Sequence, residues 1–385
     1  MTLSLGYPKQ QGNMACRLHK SLYGLRQASR QWFCKFSTAL KHYVFHQSTS
    51  DYSLFSNGSA NTLVILLVYV DDIILAGPNT ALLHEVQSHL ANTFRLKVLG
   101  DMKYFLGLEI ARSSQGIMLT QRKYTLQLLE DTGYLACKPQ PLPMDPGLKL
   151  NSSDGDLLSD VTLYRRLIGR LMYLTISHPD ITYDVHKLSQ FMSQPRSSHL
   201  HVVYHLIQYL KGSPGQGLMF SSSSSLRLSA FSDADWGGCL ETRRSTTDYM
   251  VFLGDSLISW KSKKQATVSR SSAEAEYRAL ASLASELLWL RQLLKVFDIQ
   301  VPSVMVFSDN ISAIALATNP TSHERSKHVD IDVHFIREHV TSGFLLLNHV
   351  PSAKQLADCL TKPVAGPRLR DHMAKLGVLN IYLPT

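Results

Sequence analysis

Four carboxylates occupy places where the chain changes character. Asp233 follows an alternating apolar stretch in Phe231-Ser-Asp-Ala-Asp-Trp-Gly-Gly238, and Asp309 closes another in Phe307-Ser-Asp-Asn310. Glu276 sits in Ser271-Ser-Ala-Glu-Ala-Glu-Tyr277, and Asp358 in Gln355-Leu-Ala-Asp-Cys-Leu-Thr-Lys362. Carboxylates that converge repel one another and lose hydration, so they require a cation. Oxygen ligands suit Mg²⁺ or Mn²⁺. Two such ions about 3.5–4 Å apart can activate a water and stabilise the leaving 3′ oxygen of a phosphodiester. Singly, each acid has an ordinary explanation: an Asp at a strand end forms turns, and an acid in a first helical turn caps it. Asp71 and Asp72 form a further pair, between two apolar runs rich in β-branched residues.

The segments around these acids predict what must position them. A strand runs through Leu226, Leu228 and Ala230 to Asp233, and two more cover Tyr249–Leu253 and Leu257–Trp260, with Gly254-Asp255 as their turn. Leu280, Leu283, Leu287, Leu290 and Leu294 recur after Glu276 at helical spacing. A strand at Val304–Phe307, a helix, a helical stretch over His328–Val340, a strand at Phe344–Leu347 and a helix from near Gln355 complete the pattern. This predicts a mixed five-stranded sheet flanked by helices, an α/β (α+β) arrangement. Neighbouring first and fourth strands would bring Asp233 and Asp309 together, with two helix starts over them. Upstream, Thr62–Val70 and Ile73–Ala76 read as a hairpin with Asp71 and Asp72 at its turn. Tyr164–Ser177 and His199–Lys211 read as helices. Seams fall at 139–147, 151–156 and the serine run Ser221–Ser225.

Composition narrows the partners. With 44% hydrophobic and 18% charged residues, the chain can bury a core. Its net charge of +9 favours a polyanion. Residues 1–50 hold seven basic residues and no acid, interleaved with Tyr7, Tyr23, Trp32, Phe33, Phe36 and Tyr43. Phosphates use the cations and unstacked bases the rings, unless the aromatics belong to a core beneath a solvated basic face. Five scattered cysteines without Cys-x-x-Cys spacing argue against a zinc site or a disulfide framework and for a reducing compartment. No signal peptide is visible, and the apolar run Leu63–Val70 is too short to span a bilayer.

In order and spacing these segments resemble the C-terminal portion of the Pol polyprotein of copia-type LTR retrotransposons. The resemblance rests on Ser232-Asp-Ala-Asp-Trp-Gly237, Arg244-Ser-Thr246, Ser271–Tyr277, Ser308-Asp-Asn310, Lys327-His-Val-Asp330, His334–Glu338 and Ala357–Lys362 for a ribonuclease H part. Lys20–Gln27, Arg30-Gln-Trp32, Tyr69-Val-Asp-Asp72 and Tyr104–Ile110 look like its reverse transcriptase. The resemblance implies that Asp233, Glu276, Asp309 and Asp358 hold two Mg²⁺ or Mn²⁺ ions and cleave RNA in RNA–DNA hybrids. Glu274 competes with Glu276, which is preferred because Glu-Tyr-Arg-Ala resembles Glu-Leu-x-Ala of the wider ribonuclease H family. Asp235, Asp330 and Asp332 are expected to be structural. Asp71 and Asp72 match the polymerase catalytic turn. Lys20, Arg26 and Arg30 upstream are candidates to hold nucleic acid, and Arg243, Arg244, Lys261, Lys263, Lys264 and Arg270 downstream either hold the hybrid's phosphates or are plain surface.

The implied layout is a truncated polymerase palm (1–120), a thumb/connection segment (121–225), a ribonuclease H-like domain (226–362) and a C-terminal tail (363–385). This polymerase family is similar in needing a further aspartate upstream of Tyr-x-Asp-Asp, and before Asp71 the only acid is Asp51. The expectation is that this chain alone does not polymerise. Asp248 and His178 depart from the family, which usually has Gly and Arg there. Two alternatives stand beside a working nuclease: an inert nucleic-acid-binding remnant, and a subunit partnering a full-length reverse transcriptase. The element's life cycle implies the cytoplasm and the nucleus; no membrane is expected.

Overall fold

The structure, a computed structural model, describes Leu22 and residues 24–70, 72–319, 330–364 and 366–380. Two compact units emerge: the described residues up to Val98 with Gln292–Ile299, and Leu99–Arg291 with the described residues from Gln300 onward.

In the first unit, α1 (Ala28–His42) precedes β1 (His46–Gln47), β2 (Leu54–Asn57), β3 (Val64–Tyr69), β4 (Asp72–Ala76) and α2 (Thr80–Thr93). The strands form one antiparallel sheet in chain order. The apolar run becomes β3, with Val64, Leu66 and Val68 packed among Phe36, Leu40, Phe55 and Val86. Asn79 starts α2 by accepting from the amides of Ala81 and Leu82. The expected hairpin forms, pairing Tyr69 with Asp72. Val70 at its turn takes φ 50°, a left-handed conformation costly for a β-branched residue.

The second unit opens with β5 (Tyr104–Phe105), β6 (Leu108–Ser113), β7 (Gly116–Thr120) and α3 (Arg122–Asp131). Helices α4 (Val161–Leu174), α5 (Thr182–Ser189) and α6 (Ser197–Gly212) follow, then β8 (Gln216–Ser221). Tyr164, Leu167, Ile168 and Leu171 of α4 meet Val203, Leu206, Ile207 and Leu210 of α6 in one apolar core, as the helical spacing predicts.

Next come β9 (Leu228–Asp235), β10 (Thr246–Leu253), β11 (Ser256–Lys264), α7 (Ser272–Val296), β12 (Val304–Ser308) and α8 (Ile311–Thr318). The series closes with α9 (Asp330–Thr341), β13 (Leu345–His349), α10 (Asp358–Thr361), α11 (Gly366–Lys375) and β14 (Val378–Asn380). The five-stranded sheet has the order β11-β10-β9-β12-β13. Strands β9, β10 and β11 are antiparallel, while β12 runs parallel to β9 and β13. This is the mixed sheet the sequence predicts, and seven of the eight residues of β10 are buried.

The stretch read as a tail is built into the unit. Leu369, Met373 and Leu376 recur at helical spacing and pack with Met250, Phe252, Leu257 and Leu360. After them β14 pairs with β8, completing a second sheet in the order β14-β8-β7-β6-β5. The seam at Ser221–Ser225 therefore joins two sheets that share apolar neighbours. Among the described residues no helix is long and apolar enough to cross a membrane.

Candidate metal centre

Strand register brings the first two acids together. Phe307 of β12 lies opposite Phe231 of β9, their rings stacked with centroids 4.9 Å apart. Side chains alternate faces along a strand, so two residues further on Asp233 and Asp309 project from the same face at the same level. Parallel pairing makes this possible, because both strands end at the same edge.

Helix α7 supplies the third acid. The Ser271 hydroxyl accepts from the Glu274 amide at 3.2 Å and starts the helix. Glu276 then faces β9, where its Oε1 accepts from the Ala234 amide at 3.2 Å. One oxygen each from Asp233, Glu276 and Asp309 lie within 4.8 Å of one another. Glu276 Oε2 is buried with no hydrogen-bond partner among the described residues. Glu274 turns elsewhere: it accepts from the Arg270 amide at 2.9 Å and pairs with Arg278 at 2.9 Å. Of the two competing glutamates, only Glu276 joins the cluster.

The cluster cannot hold its full negative charge alone. Burial, reinforced by Asp358 and Asp309, pushes Asp233 up to about 7. Burial with Asp233 and Asp309 pushes Glu276 up to about 9. Such acids keep protons or take a cation. Two ligands of a Mg²⁺ ion at about 2.0–2.1 Å lie no more than about 4.2 Å apart, so oxygens within 4.8 Å of one another need only a small inward shift to hold one. The donor set is all oxygen and one oxygen is unpartnered, so the residues fit a hard divalent ion.

Asp358 opens α10, buried, and is among the charges raising Asp233. It stands outside the three-acid group, and its oxygens are engaged by Lys362 Nζ at 2.9 Å and Arg368 Nη2 at 2.6 Å. Three residues without an assigned role in the sequence reading support this edge. The fully buried Gln355 donates to the carbonyl of Ser232 at 2.9 Å, tying the last helix start to β9. Ser352 donates through Oγ to Asp309 Oδ2 at 2.6 Å. Arg368 comes from the stretch read as a tail.

Asp248 is an unexpected neighbour. It pairs directly with Asp233 across β10 and β9 and so shares its face. It is fully buried, and neither carboxyl oxygen has a hydrogen-bond partner among the described residues. Ser262 faces it from β11, but the hydroxyl is donated to the carbonyl of Leu360 at 2.9 Å. Burial holds Asp248 well above the ordinary carboxylate range, with Asp233, Asp235 and Glu276 adding to the rise.

The candidate nucleic-acid residues are scattered. Lys20 and Asp71 lie outside the described residues. Asp72 starts β4, exposed, and Arg26 and Arg30 are exposed around the start of α1. Lys261 and Lys263 share one face of β11 while Lys264 occupies the other, so the three lysines do not form one patch. Lys261 lies 5.7 Å from the Tyr249 ring centroid, and Lys264 Nζ donates to Gln190 Oε1 at 2.8 Å. Arg243 is exposed at φ 53° in the turn after β9, beside the half-buried Arg244.

Comparison with known proteins places this geometry in context. The family described as "Reverse transcriptase (RNA-dependent DNA polymerase)" matches residues 4–146. The chain is 42% identical over 375 residues to the "Retrovirus-related Pol polyprotein from transposon RE1" of Arabidopsis thaliana, covering 97% of this chain and 26% of that protein. It is 34% identical over 375 residues to the corresponding polyprotein from transposon TNT 1-94 of Nicotiana tabacum, covering 94% of this chain and 28% of that protein. The chain thus spans about a quarter of the length of these curated relatives. Among solved structures, RNase H1 of the archaeon Halobacterium salinarum matches 38% of this chain and 98% of its own, with 18% identity and a TM-score of 0.28.

Proposed function

This chain belongs to the copia-type retrotransposon Pol family, and on that premise we propose that its second unit is a metal-dependent nuclease acting on the RNA strand of RNA–DNA hybrids. The observation that carries the reading is the convergence of buried Asp233 and Glu276 and half-buried Asp309, from β9, α7 and the end of β12, within 4.8 Å of one another. Asp233, Glu276 and Asp309 would hold Mg²⁺ or Mn²⁺, with Asp358 at the rim for a second ion. Divalent ions bound there supply an activated water and neutralise charge developing on the phosphodiester.

The chain's own residues contribute preorganisation. The Ala234 amide fixes Glu276, Ser352 fixes Asp309, and Gln355 locks the edge carrying Asp358 to β9. Oxygens aimed in advance need little rearrangement when charge develops nearby. Exposed Arg243 and Lys263 offer cations to the phosphates of the hybrid.

The test is cleavage of a labelled RNA–DNA hybrid by the full chain with Mg²⁺ or Mn²⁺, beside D309N and a single-stranded RNA control. The expected result is hybrid-specific cutting that falls to background in D309N. A folded chain that cuts nothing, or a D309N variant that cuts as well as its parent, overturns the reading. A second reading, an inert chain that binds nucleic acid alone or beside a full-length reverse transcriptase, is favoured by Asp248: a buried, unpartnered carboxyl beside Asp233 burdens the site without serving it. Hybrid binding without cutting would establish it.

A further inference from the structure

Arg368 belongs to no acidic motif, yet it reaches the candidate metal centre in two ways. Its Nη2 donates to Asp358 Oδ2 at 2.6 Å and to the carbonyl of Ser352 at 2.8 Å. The Ser352 hydroxyl in turn donates to Asp309 Oδ2 at 2.6 Å. Lys362, one turn beyond Asp358, takes the remaining oxygen Oδ1 at 2.9 Å. Both oxygens of a buried carboxylate are held by cations, and one of those cations also steadies a second acid of the cluster.

We propose that Arg368 is a positioning residue of this centre: a resident cation that occupies Asp358 Oδ2 and, through Ser352, sets the orientation of Asp309, so that a divalent ion using that oxygen must displace it. The proposal rests on the reading of the acids as a metal centre. The two cations at Asp358 are not equivalent. Lys362 is a more exposed point charge on a flexible stem, and such pairs hold weakly. Arg368 presents a planar guanidinium that meets carboxylate and carbonyl together. It is anchored by helix α11, whose Leu369 and Met373 are buried in the core.

Removing this cation moves two observables in opposite directions. Without divalent ions, Asp358 loses its better partner and remains buried beside Asp233, so the fold weakens. With divalent ions, a competitor has gone, so the ion binds more tightly. A residue that served only packing would weaken both. Ser352 differs, because its loss frees Asp309 to rotate without removing any competitor for the ion.

The experiment is calorimetric titration of the full chain with Mn²⁺, together with melting temperatures in chelator and in Mn²⁺, for wild type, R368Q and S352A. R368Q should melt lower in chelator, gain more from Mn²⁺ than wild type does, and bind the weaker Mn²⁺ equivalent roughly tenfold more tightly, as follows when a competing charge-assisted contact is lost. S352A should bind Mn²⁺ less tightly. R368Q binding Mn²⁺ no more tightly than wild type overturns the proposal. Should R368Q fail to fold, R368K keeps the charge on a shorter side chain without the planar guanidinium and should tighten Mn²⁺ binding by a smaller factor; unchanged binding there overturns it equally. A folded wild-type chain that binds no Mn²⁺ removes the metal centre itself, and the role of Arg368 with it. That outcome differs from equal binding by both proteins, which removes the role alone.

Discussion

Replacing Asp248 by Asn should stabilise the protein, by an amount that grows with pH. Asp248 is buried in the middle of β10 with both oxygens unpartnered. Asp233, Asp235 and Glu276 are the charges that burden it further. Its folded-state pKa is raised, so the fold holds a proton that the unfolded chain releases near pH 4. The sign follows: its contribution to stability is fully present below the unfolded value and is lost as pH rises toward the folded one. Over that interval one extra bound proton lowers the unfolding free energy by about 1.4 kcal/mol per pH unit. Asn has nearly the same shape and carries no such proton. Between pH 5 and pH 6 the advantage of D248N should therefore widen by about 1.4 kcal/mol. Urea denaturation of both proteins in chelator at several pH values measures it. Asp184, a buried acid that is not among the charges acting on Asp248, tilts both curves alike and drops out of the difference. Parallel curves for the two proteins would refute the reasoning, because they would mean that Asp248 is already ionised in the fold or has found a partner.

Glu276→Gln should raise the melting temperature in chelator more at pH 8 than at pH 5, since burial keeps Glu276 protonated up to about 9 in the fold but not in the unfolded chain. The same substitution should abolish the stabilisation by Mn²⁺, so a thermal shift series with and without the ion reads both effects. Leu376→Ala, at a fully buried position in the core shared by α10, α11 and β10, should cost about 2–5 kcal/mol by urea denaturation. A loss below ~1 kcal/mol would mean that α11 is not part of that core.

The acids of the candidate site were legible in the sequence because each stands where a periodic segment begins or ends. Alternation along β9 and β12 has period two, so two strands that end in Phe-Ser-Asp can bring their acids level once they are neighbours and parallel. The preference for Glu276 over Glu274 rested on resemblance, and the structure adds a physical reason: Glu274 is taken by Arg278 and the Arg270 amide. The downstream basic candidates divide between two faces, because adjacent Lys263 and Lys264 on a strand must point to opposite sides. Arg368, Ser352 and Gln355 were not legible in this way. Their roles come from contacts across long separations, and a single arginine in a polar helix carries no periodic signal. Asp248 stood out only as a departure at its position. Its burial opposite Asp233 required the β9–β10 register.

The pairing of β14 with β8 has a consequence for how the chain acquires its shape during synthesis. Leu218 meets Val378, so the edge of β8 waits for nearly the last described residues. Until then it offers an unpaired strand beside an apolar cluster that still lacks Leu369, Met373 and Leu376. Contacts of such long sequence separation form slowly, because closing the intervening loop costs entropy before any contact repays it. A ribosome emits the first four strands and most of the sheet of β9 to β13 well before α11 and β14 emerge. The second unit is therefore completed only once α11 and β14 are made, and an excised fragment starting at residue 226 would leave β14 without its neighbour.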